Sequence, residues 1–306
     1  MSERRASAGA RRPAGHALAV LLTPLRAAKG LVLTVCCLVV VVPFLAVVST
    51  SLADPHQIDE AGGFVLWPTH PSLTAYRSIF AGGVVTRAVL VSVAITAVGT
   101  VLSLSCTALL AYGLSRPGSL GSKPILMVLL FSVLFSPGII PMYLVVKQLG
   151  LLNSYWSLIL PVLINGFNVI VMREFFLELP AELIDAARID GAGELSILLR
   201  VVLPLSKAIL AVVGLFYAVA YWNSFFSALL YIADTVKWPL QLVLRTYVVD
   251  NAAIGVDTSA LAGAPPPPQQ SLQMAILVIS LVPILLLYPF LQRHFAKGIL
   301  LGAVKG

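Results

Sequence analysis

Residues 173–207 read REFFLELPAELIDAARIDGAGELSILLRVVLPLSK, and this is the most strongly charged stretch of the chain. It holds six of the 13 acidic residues and lies between two long apolar segments. A connection between neighbouring helices usually needs only about 2–8 residues. A charged connection of this length therefore indicates a structured element with a role outside the apolar part of the chain.

The composition of the chain indicates a membrane protein. Hydrophobic residues make up 59% of the sequence, charged residues make up 11%, and the mean hydropathy is +0.97. A soluble domain carries about 25% charged residues, because its surface must face water. The net charge of +7 does not indicate nucleic-acid binding, because the basic residues flank apolar runs instead of clustering on a polar face.

Six charge-free apolar segments are long enough to cross a bilayer, which takes about 20 apolar residues in a helix. These segments are residues 30–53, 88–115, 124–146, 148–172, 208–233 and 271–292. The sequence therefore predicts an all-α, polytopic membrane protein with six transmembrane helices. The first segment is longer than the apolar part of a signal peptide, about 7–15 residues, so we expect it to stay as a membrane helix.

The basic residues predict the orientation, since Lys and Arg concentrate on the cytoplasmic side of membrane proteins. With the N-terminus inside, fifteen of the 20 Lys and Arg residues fall on the cytoplasmic side. The basic residues left outside are Arg77, Arg87, Lys147, Lys237 and Arg245. We therefore predict two cytoplasmic tails, over residues 1–29 and 294–306. Between them lies a six-helix membrane domain over residues 30–293, with its charged loop at 174–207.

Local signals divide the charged loop into two short helices. Pro180 suits the first turn of a helix, where its missing N–H is not needed, and Glu182 favours the N-terminal end of the helix dipole. Gly191 suits the end of that helix, because glycine readily adopts the left-handed conformation. A second helix is predicted over residues 194–202, and Pro204 marks the entry to the fifth membrane helix. We expect the two helices to lie across the cytoplasmic mouth and to bind a partner protein.

The same loop resembles the cytoplasmic signature of the permease subunits of ATP-binding cassette (ABC) importers. That signature is Glu-Ala-Ala, three residues, Gly, nine residues, Ile, one residue and then Leu-Pro. The spacing here is the same throughout, and Asp185 and Val201 replace the Glu and the Ile conservatively. The resemblance implies a type I importer permease fold, with coupling helices between membrane helices four and five that sit in a groove of an ATPase subunit. The residues expected to couple to the ATPase are Glu182, Asp185, Ala186, Ala187, Asp190, Gly191, Val201, Leu203 and Pro204.

Three further stretches resemble the carbohydrate branch of this family, the maltose-type and complex-oligosaccharide permeases. They are YWNSFFSALLY at residues 221–231, WPLQL at 238–242 and GILLGAVKG at 298–306. The resemblance implies a multi-pass subunit of the bacterial plasma membrane with a sugar or oligosaccharide as cargo. It also implies three kinds of partner: a second permease subunit, two ATPase subunits and an extracytoplasmic solute-binding lipoprotein.

The chain shows no ATP site of its own. A phosphate-binding loop needs a Gly-Lys-Ser/Thr run, and the sequence contains no Gly-Lys dipeptide. Cys36, Cys37 and Cys106 lie inside apolar runs without ligand spacing. We therefore expect a transport subunit that is not an enzyme, that has no cofactor or metal site, and whose partner subunits use the ATP.

The alternative function is a standalone channel or carrier that is not coupled to an ATPase. Ion-coupled carriers usually keep ionisable residues at membrane depth, and the six apolar segments have none in their middle. An uncharged polar route favours a neutral solute such as a sugar. Polar and aromatic side chains in membrane helices also pack between helices or anchor the helix at the membrane interface, which is the alternative to a role in the pathway. The candidate pathway residues are Asn165, Asn168, Tyr217, Tyr221, Trp222 and Asn223.

Two of the predicted outer loops are long. Residues 72–80 of the first predict a short amphipathic helix with Ser72 as its cap. The second loop, residues 234–270, contains four consecutive prolines at 265–268, which predict an extended polyproline spacer. That spacer is either a solvated tether or part of a docking site for an external partner.

Overall fold

A computed structural model describes residues 15–81, 83–250 and 267–302. Within these ranges all regular structure is helical and no strand occurs, which confirms the all-α fold. Residues 1–14 of the predicted N-terminal tail, residues 303–306 of the C-terminal tail and the first two residues of the four-proline run lie outside the described residues.

The described part of the first half, through Leu177, contains eight helices. They are α1 (Gly15–Leu52), α2 (Pro55–Glu60), α3 (Thr74–Ala81), α4 (Val84–Ser115), α5 (Ser122–Leu134), α6 (Ile139–Gln148), α7 (Trp156–Ile159) and α8 (Gly166–Leu177). A 3-10 turn at Leu160–Val162 extends α7. The short helix predicted over residues 72–80 forms as α3, which begins two residues after Ser72, and the Ser72 hydroxyl oxygen accepts a hydrogen bond from the N–H of Thr74.

The described part of the second half contains seven helices. They are α9 (Ala181–Ile189), α10 (Glu194–Ile197), α11 (Leu203–Leu205), α12 (Lys207–Trp222), α13 (Phe225–Tyr231), α14 (Leu240–Val248) and α15 (Gln269–Gly302). A π turn at Leu198–Val202 joins α10 to α11, and a 3-10 turn at Thr235–Lys237 precedes α14.

Three described helices contain an unbroken stretch that is long and apolar enough to cross a membrane. These stretches are Ala28–Leu52 of α1, Val84–Ser115 of α4 and Gln269–Leu286 of α15. Helices α7 and α8 form a pair bent by 52°, and Glu194–Leu205 meets α12 at 87°. By length and composition, these helices give three to five spans within the described residues.

The expectation of continuous helices over residues 124–146, 148–172 and 208–233 was wrong. The first is broken between α5 and α6, where Pro137 disfavours helical backbone at the preceding residue and Gly138 has a φ of +82°. The second is broken ahead of α8 and the third between α12 and α13. Helices α5 and α6 are each too short to cross the membrane alone. The predicted total of six transmembrane segments therefore requires these two helices to cross the membrane together as one segment.

The main core forms where α4 packs against α12 and α8. Ala111 of α4, Val169 and Met172 of α8 and Val213 of α12 are fully buried there. A smaller cluster joins α3, α4, α14 and α15. Helix α1 contacts α15 and α3, and most apolar side chains of its stretch from Ala28 to Leu52 are exposed, which fits a helix that faces lipid or another membrane subunit.

Gly99 permits the close approach of α12 to α4. The glycine is buried, and a Cβ atom placed on it would lie 2.7 Å from the ring of Tyr221. That distance is well inside van der Waals contact, and the ring is itself buried. The packing of the two most extensively paired helices therefore depends on a residue without a side chain at this position.

We expect Gly99→Ala to lower the stability of the folded protein by about 1–3 kcal/mol, because the ring of Tyr221 or the whole of α12 must shift. Gly113→Ala is the matched control in the same helix, since a Cβ atom there meets nothing within 4 Å. Thermal unfolding in detergent should show a lower midpoint for Gly99→Ala only. Equal midpoints for the two variants would contradict this account of the α4–α12 contact.

Candidate functional site

The first short helix of the charged loop, α9, begins directly after Pro180. Pro180 is the N-cap with a φ of −55°, one position earlier than the first-turn position that the sequence predicts. Glu182 lies in the first turn and Arg188 in the last turn, so both charges favour the helix dipole. Glu182 and Asp185 are exposed.

Helix α9 ends in a left-handed turn at Gly191, whose φ is +81°. The N–H of Gly191 donates to the carbonyl oxygen of Arg188, and the N–H of Ala192 donates to that of Ala187, both at 3.0 Å. These two bonds satisfy carbonyl groups left free at the helix end and reverse the chain. The predicted role of Gly191 as the end of the first helix is confirmed.

The second helical segment runs through α10, the π turn and α11, and extends three residues beyond the predicted end at residue 202. Val201 and Leu203 pack against the main core, whereas Pro204 is exposed. The chain then bends by 87° before α12 begins at Lys207. The apolar end of the signature thus fixes the loop to the core.

Glu194 joins the two short helices to α4. Its Oε1 atom accepts hydrogen bonds from Arg188 of α9, 2.9 Å from Nη2 and 3.3 Å from Nε. Its Oε2 atom accepts a hydrogen bond at 2.5 Å from the hydroxyl of Tyr112, near the end of α4. The guanidinium of Arg116 lies 4.5 Å from the centroid of the Tyr112 ring. We call Tyr112, Arg188 and Glu194 the Glu194 junction.

The Glu194 junction keeps its charged members ionised. The hydrogen bond from Tyr112 and then that from Arg188 lower the pKa of Glu194, and Glu194 in turn raises the pKa of Arg188. A carboxyl whose pKa is lowered on folding stabilises the fold above its unfolded pKa, and this contribution disappears as the pH falls through the folded value. The junction is therefore intact at neutral pH and weakens in acid.

Apolar side chains on the charged loop remain uncovered. Ile189 at the end of α9 is 87% exposed, and Leu195 of α10 is 63% exposed. Leu183 is also exposed, and Ala186 beside it leaves the helix surface open to close approach. Apolar groups rimmed by charges in a polar loop are typical of a protein–protein interface.

A depression of about 470 Å³ lies between α9 and the second helical segment. Its lining includes Ala187, Asp190, Gly191, Ser196, Arg200 and Val201. Five of the predicted coupling residues are exposed in or beside this depression. Asp190 and Gly191 line it, and Glu182, Asp185 and Ala186 lie on α9 next to it. The loop therefore presents most of the predicted residues outward, while Val201 and Leu203 are partly buried and pack against the core.

Tyr217 and Tyr221 of α12, both predicted pathway residues, are buried between helices. The hydroxyl of Tyr221 lies 2.7 Å from Ser103 Oγ, and that of Tyr217 lies 2.7 Å from Thr107 Oγ1. The backbone N–H of Asn165 donates to the hydroxyl of Tyr217 at 3.0 Å. These bonds connect α4, α8 and α12, so both side chains have a packing role. Their contact with a cargo molecule stays a prediction.

The other predicted pathway residues divide into buried and exposed ones. Trp222 and Asn168 are buried, and the indole N–H of Trp222 donates to the carbonyl oxygen of Ser280 at 3.1 Å. Asn165 and Asn223 are exposed. The side chain of Asn165 caps α8 by accepting the N–H of Asn168 at 3.1 Å, and Asn223 lies at the end of α12. Of the six predicted residues, these two are the ones accessible to a cargo in this structure.

The sequence matches a known protein family over most of its length. Residues 13–301 match the family described as the binding-protein-dependent transport system inner membrane component. The chain belongs to this family of permeases. This permease is therefore an inner-membrane transport subunit.

Two relatives from Bacillus subtilis (strain 168) are similar along almost all of the permease. One is the polygalacturonan/rhamnogalacturonan transport system permease protein YtcP, 46% identical over 269 residues, which are 88% of this chain and 94% of that protein. The other is protein LplC, 46% identical over 270 residues, which are 88% of this chain and 90% of that protein.

The fold also matches a solved structure. A bacterial ABC transporter involved in the import of the acidic polysaccharide alginate aligns with a TM-score of 0.82 and 28% identity, covering 89% of this chain and 97% of the matched chain. This match confirms the ABC importer permease fold. Together with the family match, it makes the chain the permease subunit of an ABC importer, in place of a standalone channel or carrier.

The Glu194 junction of the permease is not predicted by the sequence alone. Arg188 and Glu194 flank the Gly191 turn, so their proximity follows from a turn that the sequence does predict. Tyr112 is separated from Glu194 by 82 positions, and no local pattern indicates that contact. Among the described residues, no group of His, Cys, Asp or Glu side chains is arranged to hold a metal ion.

We expect Tyr112→Phe to loosen the charged loop of the permease, because it removes the hydroxyl that donates to Glu194. A hydrogen bond to a charged group is worth about 1.5–3 kcal/mol, and partial exposure of Glu194 reduces this to about 1 kcal/mol. Backbone amides of α9 and α10 should then exchange hydrogen several-fold faster in a nanodisc. Tyr143→Phe, at a ring that stacks on Tyr231, is the control. Unchanged exchange in the Tyr112→Phe loop would exclude this role of the junction.

Proposed function

We propose that the permease carries an oligosaccharide across the bacterial plasma membrane and that separate ATPase subunits drive it through the α9–α11 loop. The exposed apolar surface of this loop carries the proposal, because Ile189 and Leu195 are uncovered beside the predicted coupling residues. In a water-exposed loop, such a surface calls for a protein partner. The signature in residues 185–204 makes an ATPase the expected partner.

The loop is built to pass a displacement to the membrane helices. The Gly191 turn fixes α9 against the second helical segment, and Glu194 connects both to α4 through Tyr112. Val201 and Leu203 pack against the main core, and α12 follows directly after the bend. Movement of α9 by an ATPase would therefore reach α4 and α12 together, which are the two most extensively packed helices.

The subunit composition follows the same proposal. ATPase subunits bind the coupling residues inside the cell, and a solute-binding lipoprotein delivers the cargo outside. A second permease subunit and lipid cover the apolar side chains that this chain leaves exposed, including those of α1. Both termini are cytoplasmic in this arrangement, in agreement with the distribution of Lys and Arg.

The proposed transport cycle needs no ATP site in this chain. The loaded binding protein docks on the outer face, and the two ATPases close on ATP and push on the coupling helices. The membrane helices change from inward-open to outward-open and accept the cargo, and hydrolysis resets them. The missing Gly-Lys dipeptide supports this division of roles, with ATP used only by the partners.

An oligosaccharide is the proposed cargo for two reasons. Residues 221–231 and 238–242 resemble the carbohydrate branch of the family, and the relative YtcP is named as a permease for polygalacturonan and rhamnogalacturonan. The exposed amide groups of Asn165 and Asn223 are able to hydrogen-bond sugar hydroxyls. The buried Tyr217, Tyr221 and Trp222 support the helices that carry them. Cargo contact at any of these residues needs the helices to separate during transport.

We expect Gly191→Pro to abolish uptake and stimulation of the ATPase while the chain still inserts into the membrane. Proline is fixed near a φ of −65° and has no N–H, whereas Gly191 has a φ of +81° and donates to Arg188. Gly193→Ala is the matched control, because Gly193 has a φ of −72° and open space around it. Both activities are measured in proteoliposomes that contain the assembled importer.

The same proteoliposome assay distinguishes results that support coupling through the loop from results that contradict it. Gly193→Ala should retain transport and ATPase stimulation close to the unmodified level. A Gly191→Pro importer that stimulates ATP hydrolysis normally would contradict coupling through this loop. Full solute flux through the purified chain alone, without ATP or an ATPase, would contradict the proposed function itself.

A further inference from the structure

A depression of about 480 Å³ lies at the end of α12 that is opposite to the charged loop, where α13, α14 and α15 meet. Asn223, one of the two exposed candidates of the pathway, lies in its wall. In the proposed orientation this is the outer side of the membrane, where a delivered cargo arrives first. Its lining includes Asn223, Phe225, Gln241, Leu244, Arg245 and Leu277.

The polar groups of this depression come from two directions. Gln241 and Arg245 are four residues apart in α14 and therefore lie on the same helix face. Asn223 contributes a third polar side chain from the end of α12, and Phe225 of α13 contributes an aromatic ring. Arg245 carries the one charge among the described lining residues. Amides, an aromatic ring and a guanidinium together suit a ligand that has hydroxyls, an apolar ring face and a negative charge.

Arg245 is held in place but not fully neutralised. Its guanidinium lies 5.3 Å from the centroid of the Phe225 ring, which orients the side chain. Its Nε atom lies 3.8 Å from an Asp250 carboxylate oxygen, and the two side chains are 39% and 49% exposed. A long, exposed ion pair contributes little to stability. The guanidinium is therefore able to exchange Asp250 for the carboxylate of a ligand.

We propose that this depression is a binding site for acidic oligosaccharides, in which Arg245 pairs with a uronate carboxylate and Phe225 contacts the sugar ring. The planar guanidinium binds a carboxylate through two parallel hydrogen bonds. Asn223 and Gln241 hydrogen-bond the hydroxyls of the sugar. The site rests on the proposed function, because it takes an oligosaccharide as the cargo, and it replaces the neutral solute expected from the sequence with an acidic one.

Two of the similar proteins point to an acidic ligand. The relative YtcP is named for polygalacturonan, a polymer of a uronic acid, and the matched structure imports the acidic polysaccharide alginate. The predicted spans carry no charge in their middle, so a positive group that recognises an acidic cargo must lie near their ends. Arg245 is such a group, next to a predicted pathway residue.

The test compares two cargoes that differ only in charge, in proteoliposomes with the complete importer. The probes are trigalacturonate and its carboxyl-reduced counterpart, galactotriose. We expect Arg245→Gln to raise the KM for trigalacturonate uptake about tenfold, the effect of losing one charge-assisted pair, while galactotriose uptake stays unchanged. Arg245→Lys keeps the charge but loses the two-pronged geometry, so its KM should lie between the two.

Two further measurements identify the reason for any loss. Arg77→Gln removes an exposed arginine from α3, away from the depression, and should leave uptake of both sugars unchanged. ATP hydrolysis without cargo shows whether each variant is folded and assembled. Equal trigalacturonate uptake by Arg245→Gln and the unmodified importer would overturn the site, as would an equal loss for both sugars.

The same data distinguish failure of the site from failure of the proposed function. Import of galactotriose but not of trigalacturonate by the unmodified importer overturns the acidic site and leaves oligosaccharide transport standing. Import of neither sugar, with ATP hydrolysis intact, counts against the proposed cargo and the site together. Trigalacturonate import that depends on Arg245 but not on Arg77 supports both.

Discussion

The bond from the Tyr112 hydroxyl to Glu194 joins the two parts of the molecule that the proposed coupling requires to move together. One part is α4, which packs against α8 and α12 at the centre of the core. The other is the α9–α11 loop, whose apolar surface is exposed for a partner. Arg188 closes the junction from α9, so a force on either short helix reaches the same carboxylate. The junction adds a polar connection to the apolar contacts that fix the loop, which involve the buried Ile184 of α9 as well as Val201 and Leu203.

The lipid environment explains why the membrane part of the chain is helical. It also explains where its helices are broken. Backbone groups within a bilayer must be hydrogen-bonded inside the protein, so breaks are tolerated only where protein or a polar cavity surrounds them. The break before α8 follows this rule. Asn165 caps the helix there, and its N–H donates to the hydroxyl of Tyr217 in the neighbouring α12. Side chains predicted for the pathway thus stabilise a broken helix.

Local sequence signals predicted the features that depend on local chemistry. The long α4, the Gly191 turn and the two short helices of the loop follow from hydropathy, glycine conformation and capping. The breaks in three apolar segments do not show in the hydropathy, because Pro137 and the cap at Asn165 interrupt the helix without adding a charge. Contacts across long separations, such as Tyr112 with Glu194 or Gly99 with Tyr221, leave no periodic signal in a single sequence. They arise only when the helices pack.

Coupling of the α9–α11 loop to an ATPase subunit is tested most directly by a cross-link between the two. Ile189, which is 87% exposed at the end of α9, is replaced by photoreactive benzoylphenylalanine in the assembled importer. Trp67, which is 81% exposed in the predicted outer loop, receives the same group as a control. Irradiation should cross-link position 189, but not position 67, to an ATPase subunit. An importer that hydrolyses ATP and yet gives no ATPase cross-link from position 189 would contradict coupling through this loop.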